Sequence, residues 1–226
     1  QKRPIRSYVR REGRITKRQQ HALEAYWDEF GVDPTTGIDF RQLFSKVQPV
    51  VLEIGFGMGD SLLQMAIEQP DLNFLGVEVH RPGVGALLAS THEHGLKNLK
   101  VSTVDATQLL ADHIQPQTLQ KVLVLFPDPW PKKRHHKRRI INSHVITLIS
   151  RALQPGGYLH VATDWQPYAV SIEEQLQSQF DLILEQKVTN SSKVNRLRPM
   201  TKFEQRGCSL GHNIVDLIYI KEQDTP

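Results

Sequence analysis

The sequence predicts an α/β domain with a doubly wound, mostly parallel seven-stranded sheet and helices on both faces. From residue 50 onward, short runs rich in β-branched residues and Leu alternate with longer segments whose apolar residues recur every three or four positions. The first pattern is typical of buried strands, and the second of helices that pack on a sheet. Their regular alternation favours parallel strands joined by helical crossovers. The length of 226 residues suits one domain of ordinary size.

Each element can be placed on the sequence. The strand-like runs are 50–54, 72–79, 98–105, 121–126, 157–164, 180–188 and 213–221. The helix-like segments between the first five are 61–69, 85–95 and 141–153. A long polar loop without a convincing helix joins the last two runs, so the last strand is predicted to be antiparallel. We place a boundary near Val47, between a basic N-terminal arm with a helix (residues 1–46) and a single domain (residues 47–226).

The net charge of +4 is unevenly distributed. Residues 1–18 hold eight Lys or Arg and one acid, and residues 132–139 hold six Lys or Arg and no acid. The other 200 residues carry a net charge of −9. Two basic strips on a mildly acidic protein are expected where the partner is a polyanion, although solvated surface or a localisation signal is the alternative. Because the chain begins with Gln, the natural basic arm is expected to be longer.

Composition also bears on location and on metal sites. No apolar stretch approaches the roughly 18 residues of a membrane span, and the N-terminus lacks the apolar centre of a signal peptide. We therefore expect a soluble, cytoplasmic protein with no membrane partner. Cys208 is the only cysteine and is expected to be structural, and the ten histidines lack metal-ligand spacing, so no metal site is expected. Nothing indicates a dimer surface, which favours a monomer.

The first chemical signal is the glycine-rich segment EIGFGMGD at residues 53–60. Gly55, Gly57 and Gly59 let the backbone bend sharply and approach a ligand without Cβ clashes. A dinucleotide site wants its third glycine at the position that Asp60 occupies. Asp60 and Glu53 disfavour a pyrophosphate and favour a cationic ligand.

S-adenosylmethionine is such a ligand, because it carries an ammonium and a sulfonium. Glu78 ends the second strand, where an acid can accept hydrogen bonds from ribose hydroxyls, and Asp105 ends the third, where an acid can accept one from the adenine amino group. Such carboxylates point into the ligand crevice of an open sheet. A single strand-end acid is more often a turn residue or a helix cap. The ordered combination favours S-adenosylmethionine over a nicotinamide cofactor.

The second signal is FPDPWPKKRHHKRR at residues 126–139. The prolines on either side of Asp128 remove backbone donors and fix the chain, so Asp128 and Trp130 are presented rigidly at the same crevice. A plain turn with a core Trp is the structural alternative. A rigid acid followed by an unbroken basic run predicts a catalytic edge that opens onto a phosphate-binding surface.

These motifs, together with ATDW at 162–165 and TKFE at 201–204, resemble the tRNA (guanine-N7-)-methyltransferase family. That family has the Rossmann-like fold of class I S-adenosylmethionine-dependent methyltransferases, and the resemblance runs from the RSYVRREGRIT segment to the last strand. It implies transfer of a methyl group from S-adenosylmethionine to N7 of a guanosine in the tRNA variable loop. The expected products are 7-methylguanosine and S-adenosylhomocysteine.

The resemblance also implies roles for individual residues. Glu53, Glu78, Asp105 and Asp128 would hold the cofactor beside the three loop glycines, and Asp128 would be the catalytic carboxylate that also contacts guanine. The implied substrate-binding residues are Lys132, Asp164, Thr201, Lys202, Phe203 and Glu204. The implied RNA-contacting residues are Arg134, His135, His136, Lys137, Arg138 and Arg139.

The chemistry fits these residue types. Guanine N7 has an in-plane lone pair, so it can accept a methyl group without losing a proton, and positioning should dominate. Asp128 would be attracted to the positive charge that develops on the purine. Acids such as Asp164 and Glu204 can accept hydrogen bonds from the guanine N1–H and amino group. The candidate stacking surfaces are Trp130, Trp165 and Phe203. The further cations expected to extend the RNA surface are Arg196, Arg198, Lys202 and Arg206.

Two other functions remain open on the sequence alone. Methyltransferases that act on an exocyclic amine of a base carry a D/N-P-P-aromatic motif after the fourth strand, and residues 127–130 are a permutation of it. A non-catalytic RNA-binding module that retains a nucleotide-binding fold would also explain the basic strips.

Overall fold

The strand-like runs form one seven-stranded sheet in the computed structural model, which describes residues 13–179, 181–189 and 198–223. The strands are β1 (Val50–Ile54), β2 (Asn73–Val77), β3 (Leu99–Ser102), β4 (Leu119–Leu125), β5 (Leu153–Thr163), β6 (Leu182–Thr189) and β7 (Val215–Lys221). Their order across the sheet is β3-β2-β1-β4-β5-β7-β6. The predicted fold class is confirmed.

The first five strands are parallel, and β7 runs antiparallel to both of its neighbours, β5 and β6. The order reverses between β1 and β4, where the crossovers pass to opposite sides of the sheet. In open α/β sheets this switch point leaves a crevice at the carboxyl ends of the strands. Both chemical motifs follow strands that flank it.

Nine α-helices lie in the described residues. They are α1 (Lys17–Ala25), α2 (Trp27–Phe30), α3 (Phe40–Leu43), α4 (Asp60–Glu68), α5 (Arg81–Glu93), α6 (Ala106–Gln108), α7 (Ser143–Ala152), α8 (Gln166–Leu176) and α9 (Lys202–Ser209). Among them, α4, α5 and α7 are the three that the periodicity predicts. A π-helical turn, Leu109–His113, follows α6, and a 3₁₀ helix, Lys133–Arg138, precedes α7.

Alternating residues of the strands contribute to two separate hydrophobic cores, one on each face of the sheet. Along β1, Val50, Leu52 and Ile54 face one core and Val51 faces the other. The first core is completed by α7 and α8, and the second by α1, α4 and α5. Burial on both faces explains why the strands read as nearly continuous apolar runs.

The segment between β6 and β7 differs from the prediction. Helix α9 lies in this polar loop, for which the sequence predicts no helix. Thr201 is its N-cap and accepts a hydrogen bond from the backbone N–H of Glu204 at 3.0 Å. Thr-x-x-Glu is the sequence signature of a capped helix start. TKFE contains this signal, but the polar composition of the segment disfavours a helix prediction.

The residues before β1 pack on the domain. Helix α1 lies against α5, and Phe30, Ile38 and Phe44 are buried in the two cores. The domain boundary near Val47 stays a prediction. In the part of the chain that the structure describes, no helix has the length and apolar character required to cross a membrane.

The close approach of α1 to α5 depends on Gly85. A Cβ at this position would lie 2.5 Å from the backbone oxygen of Gln19 in α1. We expect Gly85→Ala to lower the free energy of unfolding by about 1–3 kcal/mol, because the backbone of α1 must move away. Urea unfolding measures this change. Alanine is the better helix former by about 1 kcal/mol, so a stability equal to or above that of the wild type would contradict the close packing.

Candidate active site

A cavity of about 470 Å³ opens at the carboxyl edge of the sheet, at the predicted crevice. Its floor is the ends of β1, β2 and β4, and the first turn of α9 closes one side. Five acidic residues line it, namely Glu53, Asp60, Glu78, Asp105 and Asp128. All of them except Asp60 are the acids that the sequence assigned to the cofactor, so the structure brings these four together around one space.

The glycine loop between β1 and α4 forms another wall of the cavity. Gly55, Gly57 and Gly59 all have positive φ, at 76°, 60° and 83°. Residues with a Cβ rarely adopt this left-handed region, which is why the turn needs glycine. The loop leads directly into α4, whose N-cap is Gly59.

Glu53 is buried on β1, and its side chain reaches the floor of the cavity. Its Oε2 has no hydrogen-bond partner among the described residues. Burial raises the pKa of the Glu53 carboxyl to about 8, Arg198 opposes that shift and Glu78 adds to it. A buried acceptor of this kind favours a ligand that brings a donor or a positive charge.

Glu78 and Asp105 are fixed by backbone N–H groups. Glu78 Oε2 accepts from Gly57 at 3.0 Å, and its Oε1 accepts from Val79 and His80 at 2.8 and 2.9 Å. Asp105 caps α6, since its Oδ1 accepts from the first residues of that helix. The alternative interpretation of Asp105 as a helix cap is therefore correct, and the residue also lines the cavity. Both carboxylates are oriented before any ligand arrives.

Asp128 stands at the tip of the Pro-Asp-Pro turn that follows β4. It is exposed and lines the cavity opposite the glycine loop. Phe126 and Trp130, on either side of the turn, have positive φ values of 53° and 42°. Such conformations are unfavourable for residues with a Cβ and cluster at functional sites, where the surroundings hold them. The rigid presentation predicted from the prolines is thus reinforced by unusual backbone geometry.

Helix α9 brings three further residues to the cavity, namely Thr201, Lys202 and Arg206. Lys202 forms an ion pair of 2.9 Å with Asp60 at the start of α4. This pair links α9 to the helix that follows the glycine loop. Arg206 was expected to extend the RNA surface, and the structure places it at the mouth of the cavity.

Asp164 and Glu204 lie beside the cavity and outside its lining. Asp164 follows β5, and its Oδ2 is 3.3 Å from Nδ1 of His212. Glu204 is buried and accepts a hydrogen bond of 2.6 Å from Nη1 of Arg198. In this arrangement Glu204 stabilises the position of α9 and is not open to a base.

Arg198 is the centre of a buried polar network. It donates to Asp216 on β7 from Nε at 2.8 Å and from Nη2 at 3.1 Å, and Asp216 also lies 2.7 Å from Nε2 of His160. Its guanidinium is 5.2 Å from the centre of the Phe126 ring. Burial works to lower the pKa of Arg198, but Asp216 and Glu204 raise it overall. The expectation that Arg198 extends the RNA surface is wrong, because the residue is buried.

The basic run divides into exposed and covered residues. Lys132, Arg134 and Lys137 are exposed, and His135, His136 and Arg138 are half-buried. Arg139, which the resemblance placed among the RNA contacts, is only 5% exposed, so its side chain faces the protein and not the solvent.

Several other sequence-based expectations also meet the structure here. Cys208 is an exposed free cysteine on α9, which contradicts a structural role in the core. Trp165 is 37% exposed and remains available for stacking. The Trp130 ring already has a partner, because the Arg138 guanidinium lies 5.1 Å from its centre. Arg196, residues 1–12 and the side chain of Phe203 lie outside the described part of the chain.

The chain is similar to known methyltransferases. A family model described as "Putative methyltransferase" matches residues 47–217. The tRNA (guanine-N(7)-)-methyltransferase of Halorhodospira halophila is 49% identical over 229 residues, which cover all of this chain and 98% of that protein. The protein of the same name from Escherichia coli K12 is 50% identical over 219 residues, 96% of this chain and 91% of its own.

This chain belongs to the tRNA (guanine-N7-)-methyltransferase family. Solved structures share its fold at low sequence identity. The 16S rRNA methyltransferase KamB has a TM-score of 0.60 at 18% identity, covering 83% of this chain and 95% of its own. An antibiotic-related methyltransferase has a TM-score of 0.56 at 13% identity, covering 82% and 95%. The Rossmann-like fold of class I methyltransferases is confirmed.

S-adenosylmethionine is the methyl donor used by tRNA (guanine-N7-)-methyltransferases, and the cavity of this family member fits it. The unpartnered Oε2 of Glu53 and the other carboxylates suit a cationic ligand that also carries hydroxyl and amino donors. Among the described residues, no group of three His, Cys, Asp or Glu is close enough together to hold a metal ion.

The Arg198 network should be essential to the stability of this methyltransferase. We expect Arg198→Gln to lower the free energy of unfolding by about 3–5 kcal/mol, because it leaves the buried carboxylates of Asp216 and Glu204 without their cation. Urea unfolding gives the magnitude. Arg18→Gln, which breaks the exposed pair with Glu93, is the matched control and should have a far smaller effect. Equal effects of the two substitutions would contradict the account.

Proposed function

We propose that this protein transfers a methyl group from S-adenosylmethionine to N7 of a guanosine in the variable loop of tRNA, giving 7-methylguanosine and S-adenosylhomocysteine. One observation carries the proposal. The rigid turn that presents Asp128 stands between an acid-lined cavity and the basic run of residues 132–139. A cationic cofactor on one side and an RNA backbone on the other would meet at this carboxylate.

The cofactor would be held by the four acids and the glycine loop. Glu53 would accept from the ammonium of its methionine part, Glu78 from the ribose hydroxyls and Asp105 from the adenine amino group. The backbone hydrogen bonds that fix Glu78 and Asp105 favour this, since acceptors oriented in advance lose little freedom on binding. When bound, the cofactor supplies an electrophilic methyl group.

The chain's own residues would act mainly by position and charge. N7 of guanine has a free in-plane lone pair, so no group needs to remove a proton from it. Asp128 would face the imidazole edge of the base, whose positive charge grows as N7 is methylated. A carboxylate fixed there stabilises the transition state more than the ground state, which is the condition for acceleration.

Guanine would be distinguished from adenine on the edge that carries N1–H and the amino group. Asp164 lies at the end of β5 beside α9 and is half-buried, so it can accept from the N1–H and the amino group. Thr201, Lys202 and Phe203 at the start of α9, with Lys132 beyond the turn, complete the proposed substrate side. Glu204 would take part only if its pair with Arg198 opened.

The tRNA would lie along the exposed residues of the basic run. Arg134 and Lys137 point to solvent and are the proposed phosphate contacts, flanked by His135, His136 and Arg138. We further propose that the protein acts as a monomer in the cytoplasm, where tRNA is modified in bacteria such as those of the relatives.

Incubation of bulk tRNA with methyl-labelled S-adenosylmethionine, followed by digestion to nucleosides, tests the proposed reaction. Label in 7-methylguanosine is the expected result. Label in a nucleoside methylated on an exocyclic amine would indicate the alternative enzyme, and an absence of label would indicate a non-catalytic RNA-binding protein. Either of these results would overturn the proposal.

Replacing the carboxylate at the turn should separate catalysis from binding. We expect Asp128→Asn to lower kcat about 10²- to 10³-fold, because the amide cannot balance the charge that develops on the base. The dissociation constant for the cofactor, measured by calorimetry, should rise much less. Asp71→Asn, at an exposed turn before β2, is the matched control. A wild-type kcat in Asp128→Asn would remove the residue from the mechanism.

Cofactor binding should release a proton from Glu53. The pKa of the free Glu53 carboxyl is about 8, so it is protonated at pH 7, and a bound cation would lower that pKa and displace the proton. Affinity should therefore rise from pH 6 to pH 8. Calorimetry in buffers of different ionisation enthalpy should show close to one proton released at pH 7, and fewer with Glu53→Gln. Equal release by both proteins would contradict the assignment.

A further inference from the structure

The 3₁₀ helix sorts the basic run into three rows of side chains. A 3₁₀ helix has three residues per turn, so side chains three positions apart lie above one another. Arg134 and Lys137 form the exposed row. The second row is His135 with Arg138. The third begins with the exposed Lys133 and continues inward with His136 and Arg139, which follows the last helical residue. The unbroken run of positive charge therefore has an outer and an inner side.

The inner rows contact the turn that presents Asp128. His135 packs edge-on against the Trp130 ring with 5.7 Å between ring centres, and the Arg138 guanidinium lies 5.1 Å from the same ring. In the third row, Arg139 Nε donates a hydrogen bond of 2.8 Å to the carbonyl oxygen of Pro129. Pro129 is the residue that directly follows Asp128.

Arg139 is also held on its other sides. Its Nη2 lies 3.2 Å from Nε2 of His136, and its guanidinium stacks 4.6 Å from the centre of the buried Tyr168 ring on α8. The Tyr168 hydroxyl accepts a hydrogen bond from the backbone N–H of Ile141. Arg139 thus connects the turn to α8, a fixed part of the core.

The environment of Arg139 is unusual for a cation. Among the described residues, no carboxylate lies within ion-pair distance of it. Burial lowers its pKa, although the nearby Tyr168 works in the opposite direction. Asp128 and Arg139 both act on the pKa of Tyr168, Asp128 raising it and Arg139 lowering it. A buried cation of this kind is costly and contributes nothing to the surface that meets RNA.

The turn needs such support. Both Phe126 and Trp130 adopt left-handed backbone conformations, which persist only where the surroundings hold them. The prolines fix φ at their own positions but leave the orientation of the turn against the protein undetermined. The hydrogen bond to the Pro129 carbonyl supplies that orientation within one residue of the carboxylate.

We propose that Arg139 is a positioning residue for methyl transfer, which holds the Pro-Asp-Pro turn against Tyr168 and does not contact RNA. This inference rests on the proposed function and separates one member of the basic run from the rest. Its charge is used inside the protein, whereas Arg134 and Lys137 present theirs to the RNA backbone.

The test compares substitutions at inner and outer positions of the run in the full chain. Arg139→Lys keeps the charge but loses the planar group that both donates to Pro129 and stacks on Tyr168. Arg134→Gln removes an exposed charge. Arg151→Lys is a control for the substitution itself, because Arg151 also donates to backbone carbonyls, those of residues 110, 111 and 114, at the opposite edge of the sheet.

The measurements are kcat at saturating tRNA, the salt dependence of tRNA binding, and cofactor affinity by calorimetry. We expect Arg139→Lys to lower kcat about 10- to 100-fold, since small displacements of a reacting group are costly. Its salt slope and cofactor affinity should match the wild type. Arg134→Gln should instead reduce the slope of log binding constant against log salt concentration by about the amount that one phosphate contact contributes. Arg151→Lys should keep the wild-type kcat.

Two results would overturn the inference, namely a wild-type kcat in Arg139→Lys, or a salt slope reduced as in Arg134→Gln. If Arg139→Lys fails to fold, His136→Ala provides the second variant, because it loosens Arg139 without emptying its site. His136→Ala should then lower kcat by a smaller factor with an unchanged salt slope, and a wild-type kcat there would also overturn the inference. A wild-type protein that forms no 7-methylguanosine would refute the proposed function itself.

Discussion

The burial of the Glu53 carboxyl beside other acids is the constraint on which the site depends. The parallel strands direct Glu53, Glu78 and Asp105 to one edge of the sheet, and the turn after β4 adds Asp128. Burial, and to a smaller extent the neighbouring Glu78, disfavour a negative charge on Glu53, and protonation relieves this cost in the free protein. A ligand that carries positive charge relieves it better. The preference for a cationic cofactor therefore follows from the topology of the sheet.

A second constraint acts where the cavity meets the basic run of residues 132–139. The proposed catalytic carboxylate, Asp128, must be held still, and two prolines, two residues with left-handed backbone conformations and the hydrogen bond from Arg139 hold its turn in place. On the other side, the buried Arg198 holds α9 through Glu204, and the exposed Lys202–Asp60 pair lies across the mouth. The same basic run thus contains both exposed cations and a buried cation that supports the turn.

The sheet, its main helices and the acids of the cavity could be predicted from the sequence, because hydrophobic periodicity, strand ends and turn residues are local signals. The buried cations could not. Arg139 and Arg198 look like solvent-exposed charge in a sequence, and only the folded chain shows that a carbonyl, an aromatic ring or two acids surround them. The sequence does not predict helix α9, because its residues are polar, although a capping signal marks its start. The structural role expected for Cys208 is also wrong, because this residue of α9 is exposed.

A structure of the protein with bound S-adenosylmethionine would test the central claim most directly. The account predicts that the ligand occupies the cavity at the carboxyl edge of the sheet, with its charged end beside Glu53 and its nucleoside between Glu78 and Asp105. The Asp128 carboxylate should then lie on the side of the sulfonium. A ligand bound elsewhere, or carboxylates turned away from it, would contradict the account.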